Sequence, residues 1–265
     1  MFLRIFLSLL IGAAAAVAEG VDTVETVNGP RATGYLGLGD MPKAQYESPA
    51  VTDGELPASF DWRDVPGVLS PIRDQGSCGS CYSFAITASL ESAEVVQLGK
   101  ATQNLSEQHI VSCARDSFGC GGGFMTTAGF AVKTGLTDEA SFPYTGRNSR
   151  CKAGLDIKSK AVSYKLLGSP RKKPTVEEIK SALINKGPLF VTVMAGGSGW
   201  SGATGDVTSC RKRGSTNHMI NLVGYDDKGW IIRNSWGERW GDKGYAHIGY
   251  GCDLIALEAG YLTVE

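Results

Sequence analysis

A chain of 265 residues, 42% of them hydrophobic, is long enough to bury one or two sizeable cores. Its formal net charge of −1 gives no electrostatic case for nucleic acid or an anionic membrane surface as a partner. Seven cysteines is an odd number, which in an exported chain suggests three bridges and one thiol left free.

Met1 to Ala18 carries one early cation, Arg4, then an apolar run from Ile5 to Ile11, then small residues ending Ala16-Val17-Ala18. That is the layout of a secretory signal peptide cut before Glu19, and its apolar run is too short for a membrane span. Export predicts an oxidising compartment where disulfides persist: extracellular, lysosomal or vacuolar, or periplasmic. Residues 19–55 hold seven acids against two bases, whereas 56–265 hold 23 bases against 20 acids. The acidic stretch has no cysteine and is punctuated by Gly-Pro and Gly-Leu-Gly, so it reads as a weakly structured leader. A folded domain is expected over 56–265.

Leu56 to Arg63 opens that domain with Leu-Pro and two aromatics, and Gln75 to Phe84 then joins a Gly- and Ser-rich turn to the start of a helix. Cys81 stands at the junction, and Phe84, Ala85 and Ala88 return at helical spacing. A thiol at a helix N-terminus feels unpaired N–H groups and the positive end of the helix dipole, which favour the nucleophilic thiolate. The same cysteine also reads as a disulfide partner, or with Cys78 as a redox Cys-x-x-Cys. Asn104 to Gln108 begins a second helix through Val111, with Ser106 as N-cap although His109 replaces the usual Glu or Gln. Asn104-Leu105-Ser106 is an N-glycosylation sequon or only the approach to that helix.

Cys120-Gly121-Gly122-Gly123 allows close backbone approach to a ligand, or is a disulfide-anchored turn. Met125 to Val132 and Glu177 to Lys186 predict further helices. The basic runs Arg171 to Lys173 and Arg211 to Arg213 read as solvated loop surface. Beyond Pro188, Leu189 to Val193, Met219 to Tyr225, Trp230 to Arg233 and Tyr245 to Ile248 are β-branched or aromatic runs bounded by Gly, Asn and Asp. Helices first and strands later predict an α+β protein of two lobes with a cleft between them.

A cysteine nucleophile needs a base that becomes its counter-ion, and histidine suits this near neutral pH. His109 lies in a helical run and His247 in an alternating strand, both read as packing or surface positions. His218 stands at the entrance of an apolar strand, from which it can project into a cleft. Asn234, at a strand end and followed by Ser-Trp-Gly, offers an amide oxygen to hold the imidazole, with Trp236 to shield that bond.

With Gln75, Cys81, His218 and Asn234 in this order, and Trp236 after them, the chain resembles a papain-type cysteine peptidase over nearly all of 56–265. The resemblance implies a papain-like two-lobe fold, a helical N-terminal lobe beside a β-barrel-like C-terminal lobe. It also implies disulfides Cys78–Cys120, Cys113–Cys151 and Cys210–Cys252, which leave Cys81 free and take Cys78 out of any redox pair. Peptide bonds would be cleaved by a Cys81 thiolate–His218 imidazolium pair through a thioester, with the Gln75 amide and the Cys81 N–H stabilising the oxyanion. Gly122 and Gly123 would pair with an extended peptide. Phe124, Met125, Thr192, Met219 and Leu257 would surround the pocket for the residue two before the cut, and Trp240 the leaving-group side. None of those five pocket residues is acidic, so an apolar side chain is expected there and arginine is not.

Tyr82, Gly122 to Phe124, Phe142 to Gly146 and Thr216 to His218 most resemble the catalytic region of dipeptidyl peptidase I (cathepsin C). A leader of this length is not expected to supply that enzyme's exclusion domain, and Thr126 replaces its chloride-linked tyrosine. The expectation is therefore an open cleft and endopeptidase activity, with the leader an inhibitory propeptide removed near Asp53 to Leu56. A dipeptidyl exopeptidase and an inactive papain-fold binding protein are the alternatives. Protein or peptide substrates and cystatin-like inhibitors are the expected partners of a monomer; no metal or cofactor, nucleic acid or membrane is expected.

Overall fold

The computed structural model describes residues 21–42, 45–48, 56–202 and 204–265. The expected signal peptide over 1–18 and the stretch 49–55, where most of the expected cleavage region falls, lie outside these residues.

Four short strands come first: β1 (Thr23–Val24), β2 (Arg31–Ala32), β3 (Tyr46–Glu47) and β4 (Phe60–Asp61). Helix α1 (Cys81–Leu98) follows a turn ending at Ser80, and Gly99 closes it in the left-handed region at φ 65°. Every residue from Cys81 to Glu94 is buried, so this helix has no solvent face over that length. Small hydroxyl residues make this tolerable, because each bonds a carbonyl on a neighbouring segment: Ser83 to Glu107, Ser89 to Pro188 and Ser92 to Val68. Helix α2 (Glu107–Cys113) starts where Ser106 accepts the N–H of His109, and α3 (Ala128–Lys133) continues a single turn begun at Met125. Thr175 and Glu178 form a reciprocal capping box on α4 (Val176–Lys186).

The main sheet adds β5 (Ser163–Leu167), β6 (Leu189–Val193), β7 (His218–Tyr225), β8 (Gly229–Arg233), β9 (Tyr245–Gly249) and β10 (Ala259–Thr263). Its order is β3-β5-β10-β6-β7-β8-β9, antiparallel except for β3 on β5, with β4 also on β7. Strands β5 and β10 were not foreseen. Lys165 interrupts the apolar signal of β5, and β10 opens on Ala-Gly because a Cβ at Gly260 would sit 2.5 Å from the Phe190 ring. Alternate residues of β6 feed two separate cores: Val191 and Val193 enter one with Trp62 and Trp230, Phe190 enters the other with Ile86 and Met219. One core lies on each face of the sheet, and α1 packs against β6, β7 and β10.

Residues 21–42 are more ordered than the weakly structured leader expected from their composition. Val24, Ala32, Thr33 and Tyr35 are buried, and the segment lies across the cleft. Its order comes from pairing with distant residues, to which local composition is blind.

Candidate active site

Cys81 is the first residue of α1 and is fully buried; it is the free cysteine of the chain. Cys78 is bonded to Cys120, Cys113 to Cys151 and Cys210 to Cys252. The Met219 N–H, from the second residue of β7, donates to Cys81 Sγ at 3.4 Å. His218 is the first residue of β7, so the strand entrance brings both residues to the end of α1. His218 Nε2 meets Asn234 Oδ1 at 2.9 Å, while Nδ1 has no partner. Asn234 is itself fixed, its Oδ1 accepting the Ser235 N–H at 2.8 Å. The Trp236 ring stacks on the imidazole with centroids 4.7 Å apart. Trp236 is fully buried, which keeps water from the Asn234 bond. With Nε2 taken, the ring nitrogen left to exchange a proton with sulfur is Nδ1.

Gln75 is clamped by two bonds from Ser235, the hydroxyl donating to Oε1 at 2.7 Å and the carbonyl accepting the Gln75 N–H at 2.8 Å. Its Nε2 is thereby aimed outwards, and donates to the Cys78 carbonyl at 2.9 Å and the Ala32 carbonyl at 2.8 Å. A carbonyl of the leader thus occupies the donor expected to receive an oxyanion.

The leader's course can be followed bond by bond. Val27 N–H donates to Ser201 and the Asn28 amide to the Trp236 carbonyl, and Arg31 forks onto Asp74 at 2.9 and 2.7 Å. Past Ala32, the N–H groups of Gly34 and Tyr35 donate to the Asn217 carbonyl at 3.1 and 2.9 Å. Leu36 and Gly34 then exchange bonds with Gly123, in parallel sense, and the Leu38 carbonyl accepts from Thr126. Gly34 has φ +150°, and a Cβ there would lie 2.1 Å from the Gly79 carbonyl oxygen.

Gly122 lies under Leu36, and the Tyr35 ring packs into the cluster that holds Met125, Met219 and Cys81. Thr192 is fully buried, pairs with Met219 across β6 and β7, and donates its hydroxyl to Glu258. Leu257 and Phe124 are half-buried at the margins, while Trp240, 1% exposed, stacks on Trp200. Two residues were missed. Trp200, in a short turn with no periodic signal, bonds Asp253 and packs edge-on to Trp236. Glu258 stands one place beyond Leu257 and accepts the Thr192 hydroxyl. Arg211, read as solvated surface, is bonded to the buried Asp253. His109 accepts the Thr137 N–H beside Phe130, and His247 pairs with Asp226 at 3.0 Å.

Beneath the leader burial favours the neutral form of both reacting groups. Burial pushes the Cys81 thiol up to about 12 against the pull of the Met219, Tyr82 and Cys81 N–H groups, and lowers His218 to about 4 despite the Asn234 bond. Burial in the covered state thus works against the expected thiolate–imidazolium pair. Among the described residues no cluster of His, Cys, Asp and Glu could hold a metal ion, and no helix is long and apolar enough to cross a membrane.

A family profile described as papain family cysteine protease matches residues 56–261. A probable cysteine protease of Arabidopsis thaliana is 35% identical over 254 residues, covering 85% of this chain and 67% of its own length. Mouse cathepsin K is 35% identical over 204 residues, 73% of this chain and 60% of its own length. The chain thus spans about two thirds of these relatives. Among solved structures, a digestive procathepsin L 3 of Tenebrio molitor superposes with a TM-score of 0.73 at 28% identity, over 86% of this chain and 76% of its own. A Carica candamarcensis cysteine protease in complex with E-64 superposes with a TM-score of 0.69 at 29% identity, over 78% of this chain and 98% of its own.

Proposed function

The chain belongs to the papain family of cysteine proteases, and from that premise we propose that it is an endopeptidase held inactive by its own residues 21–42. The observation that carries the reading is the free Cys81 beside β7, with His218 oriented by Asn234 and Gln75 aimed at a carbonyl. With the leader gone, the Cys81 thiolate attacks the scissile carbonyl, and Gln75 Nε2 and the Cys81 N–H receive the oxyanion. His218 Nδ1 protonates the leaving amine and then activates the water that opens the thioester.

The leader follows the cleft in the unproductive direction. A substrate runs from the pocket at Met125 and Met219, past Gln75, towards the Trp236 and Trp240 side where the amine departs. The leader runs from Asn28 near Trp236, past Gln75, to Tyr35 and Leu38. Its Thr33 nitrogen therefore lies away from the acid that would protonate it, which protects the Ala32–Thr33 bond. Export through residues 1–18 and removal of the leader before Leu56 belong to the same reading, as do cystatin-like inhibitors and a monomeric enzyme.

A dipeptidyl exopeptidase of the cathepsin C kind is the alternative, yet the cleft argues for internal cleavage. One continuous segment enters it at Ser201 and leaves it beyond Thr126, so the groove beneath is passable at both ends. Apolar walls at Met125 and Met219 favour an apolar body for the residue two before the cut. Mass spectrometry of products from a peptide library, with leader-free enzyme, is expected to show cuts within peptides irrespective of a free amino terminus. Release of successive dipeptides alone would select the exopeptidase reading, and no cuts at all the inactive binding protein.

A further inference from the structure

Asp253 is a fully buried carboxylate with no part in the reaction described above. Its Oδ2 accepts the Trp200 indole N–H at 2.8 Å and the Ser209 hydroxyl. Its Oδ1 accepts the Arg211 backbone N–H at 2.8 Å and Nε at 3.1 Å, and Arg211 is the cation paired with it. The Cys210–Cys252 bridge gathers these groups, because Ser209 and Arg211 flank one half of it and Asp253 follows the other. Burial pushes the carboxyl up, but the bonds from Ser209, Arg211 and Trp200 outweigh burial and hold it below its usual range. A buried charge with every bond filled fixes its partners tightly, since any displacement leaves it unpaired.

The partner that leads to the active site is Trp200, itself fully buried. Its ring stands edge-on to the His218 ring at 6.5 Å, packs at 71° against Trp236 at 6.0 Å and stacks on Trp240 at 6.0 Å. Trp240 donates its indole N–H to the Trp200 carbonyl at 3.0 Å. Trp236, whose ring stacks on the imidazole, has a buried indole N–H with no partner, so packing alone positions it. The hydrogen bonds of this three-indole cluster therefore run from Trp240 to Trp200 and end at Asp253.

We propose that Asp253 is a positioning residue for the reaction: through the Trp200 N–H it anchors the indole cluster against which the His218 imidazolium forms. This role rests on the peptidase reading and adds to it. A cationic ring over an aromatic face is favoured by the electrons of that face, and the dry side of the ring protects the Asn234 bond. With Trp200 untied, Trp236 loses a wall, water reaches the Asn234 bond and the imidazolium gives up its proton more readily. The groups that bear on the ring are Asn234, Trp236, Trp200 and the Cys81 sulfur; Arg211 bears on Asp253 from the other side.

The test compares leader-free enzyme with its Asp253→Asn, Trp200→Phe and double variants, reading kcat/KM for one fluorogenic peptide against pH. Asparagine keeps the size and tolerates the φ of +46° at this position, but its one acceptor oxygen cannot serve both Arg211 and Trp200. Phenylalanine keeps an aromatic ring and leaves Asp253 charged and paired with Arg211. The bond from the Met194 N–H to the Asp253 carbonyl, 2.8 Å, is backbone and is kept in every variant. Each single variant is expected to bring the alkaline limb, which reports His218 in the free enzyme, down by about half a pH unit or more. The optimum is expected to fall about ten-fold, and the double variant to be no worse than the more affected single, because both changes cut one link. An alkaline limb that stays in place in the variants overturns the positioning role however much activity is lost, and leaves the peptidase reading standing. A shift in Asp253→Asn without one in Trp200→Phe also overturns it, because the charge would then act directly. So do additive effects in the double variant. Where one single variant does not fold, the limb of the other decides. No cleavage by the parent enzyme overturns the peptidase reading and this role with it.

Discussion

Leader-free Cys81→Ala is expected to hydrolyse peptides at least ~10⁴-fold more slowly than the parent, with unchanged circular dichroism and melting. Removing a nucleophile deletes the covalent route and leaves only binding and the oxyanion donors. Gln75 stays clamped by Ser235 in the variant, so the residual rate reports those donors alone. Stability is expected to change little, because Sγ has one hydrogen bond, from the Met219 N–H. His218 and Asn234 keep each other in that variant, which separates loss of the sulfur from collapse of the pair. Activity retained within about ten-fold would mean that another group is the nucleophile.

The second large effect lies in the leader. Gly34→Ala places a Cβ 2.1 Å from a backbone oxygen of Gly79, at a φ that a side chain rarely adopts. Neither side gives cheaply: Gly79 follows Cys78 of a disulfide and its N–H is bonded to the Cys120 carbonyl, while Gly34 is held by Asn217 and Gly123. Overpacking of this kind costs about 1–3 kcal/mol, which frees the cleft roughly 5- to 150-fold more often. The unprocessed variant is therefore expected to react with an epoxide thiol trap about ten-fold or more faster than the unprocessed parent, with the label mapped to Cys81. Equal rates would mean that the leader does not control access. Arg31 and Asp74 remain paired in either protein, so the change isolates the segment over the sulfur.

Covering and uncovering also moves a proton without taking one up. Thiol plus imidazole and thiolate plus imidazolium hold the same number of protons, so leader binding is not coupled to bulk pH through this pair in the neutral range. Below about 4 the covered imidazole itself protonates, and covering then opposes a charge in a dry site. Acid loosens the leader where the uncovered thiolate takes up a proton, near pH 4–5, and the effect stops growing once the covered imidazole is protonated too.

Much of the site was legible because its signals are local. Cys81 begins a helix after a Gly-Ser turn, Ser106 caps α2, and the runs at 189–193 and 230–233 lie in strands β6 and β8. The proximity of residues as distant in sequence as Gln75, Cys81, His218 and Asn234 came from resemblance, since no spacing dictates it. What was illegible depends on partners far along the chain. Acidic balance and glycines describe residues 21–42 as loose, yet those glycines are what let the backbone lie against Gly79 and Gly123. Glu258 and Arg211 look like surface charges until the fold sets one against Thr192 and the other against Asp253. Trp200 carries no periodic neighbour to announce it, and its contacts with Trp236 and Trp240 exist only after the lobes form.

The pH dependence of Cys81 alkylation by iodoacetamide, before and after removal of the leader, bears on the whole scheme most directly. Burial holds the covered Cys81 thiol well above its usual range, so little of it is ionised at pH 7. The unprocessed chain is expected to react slowly, with a rate still climbing at pH 10. Leader-free protein is expected to react at least ~10³-fold faster at pH 7, on a plateau beginning near pH 4–5, because His218 is then charged beside an ionised sulfur. Matching slow profiles in both forms would contradict the assignment of Cys81 as a nucleophile that the leader keeps neutral.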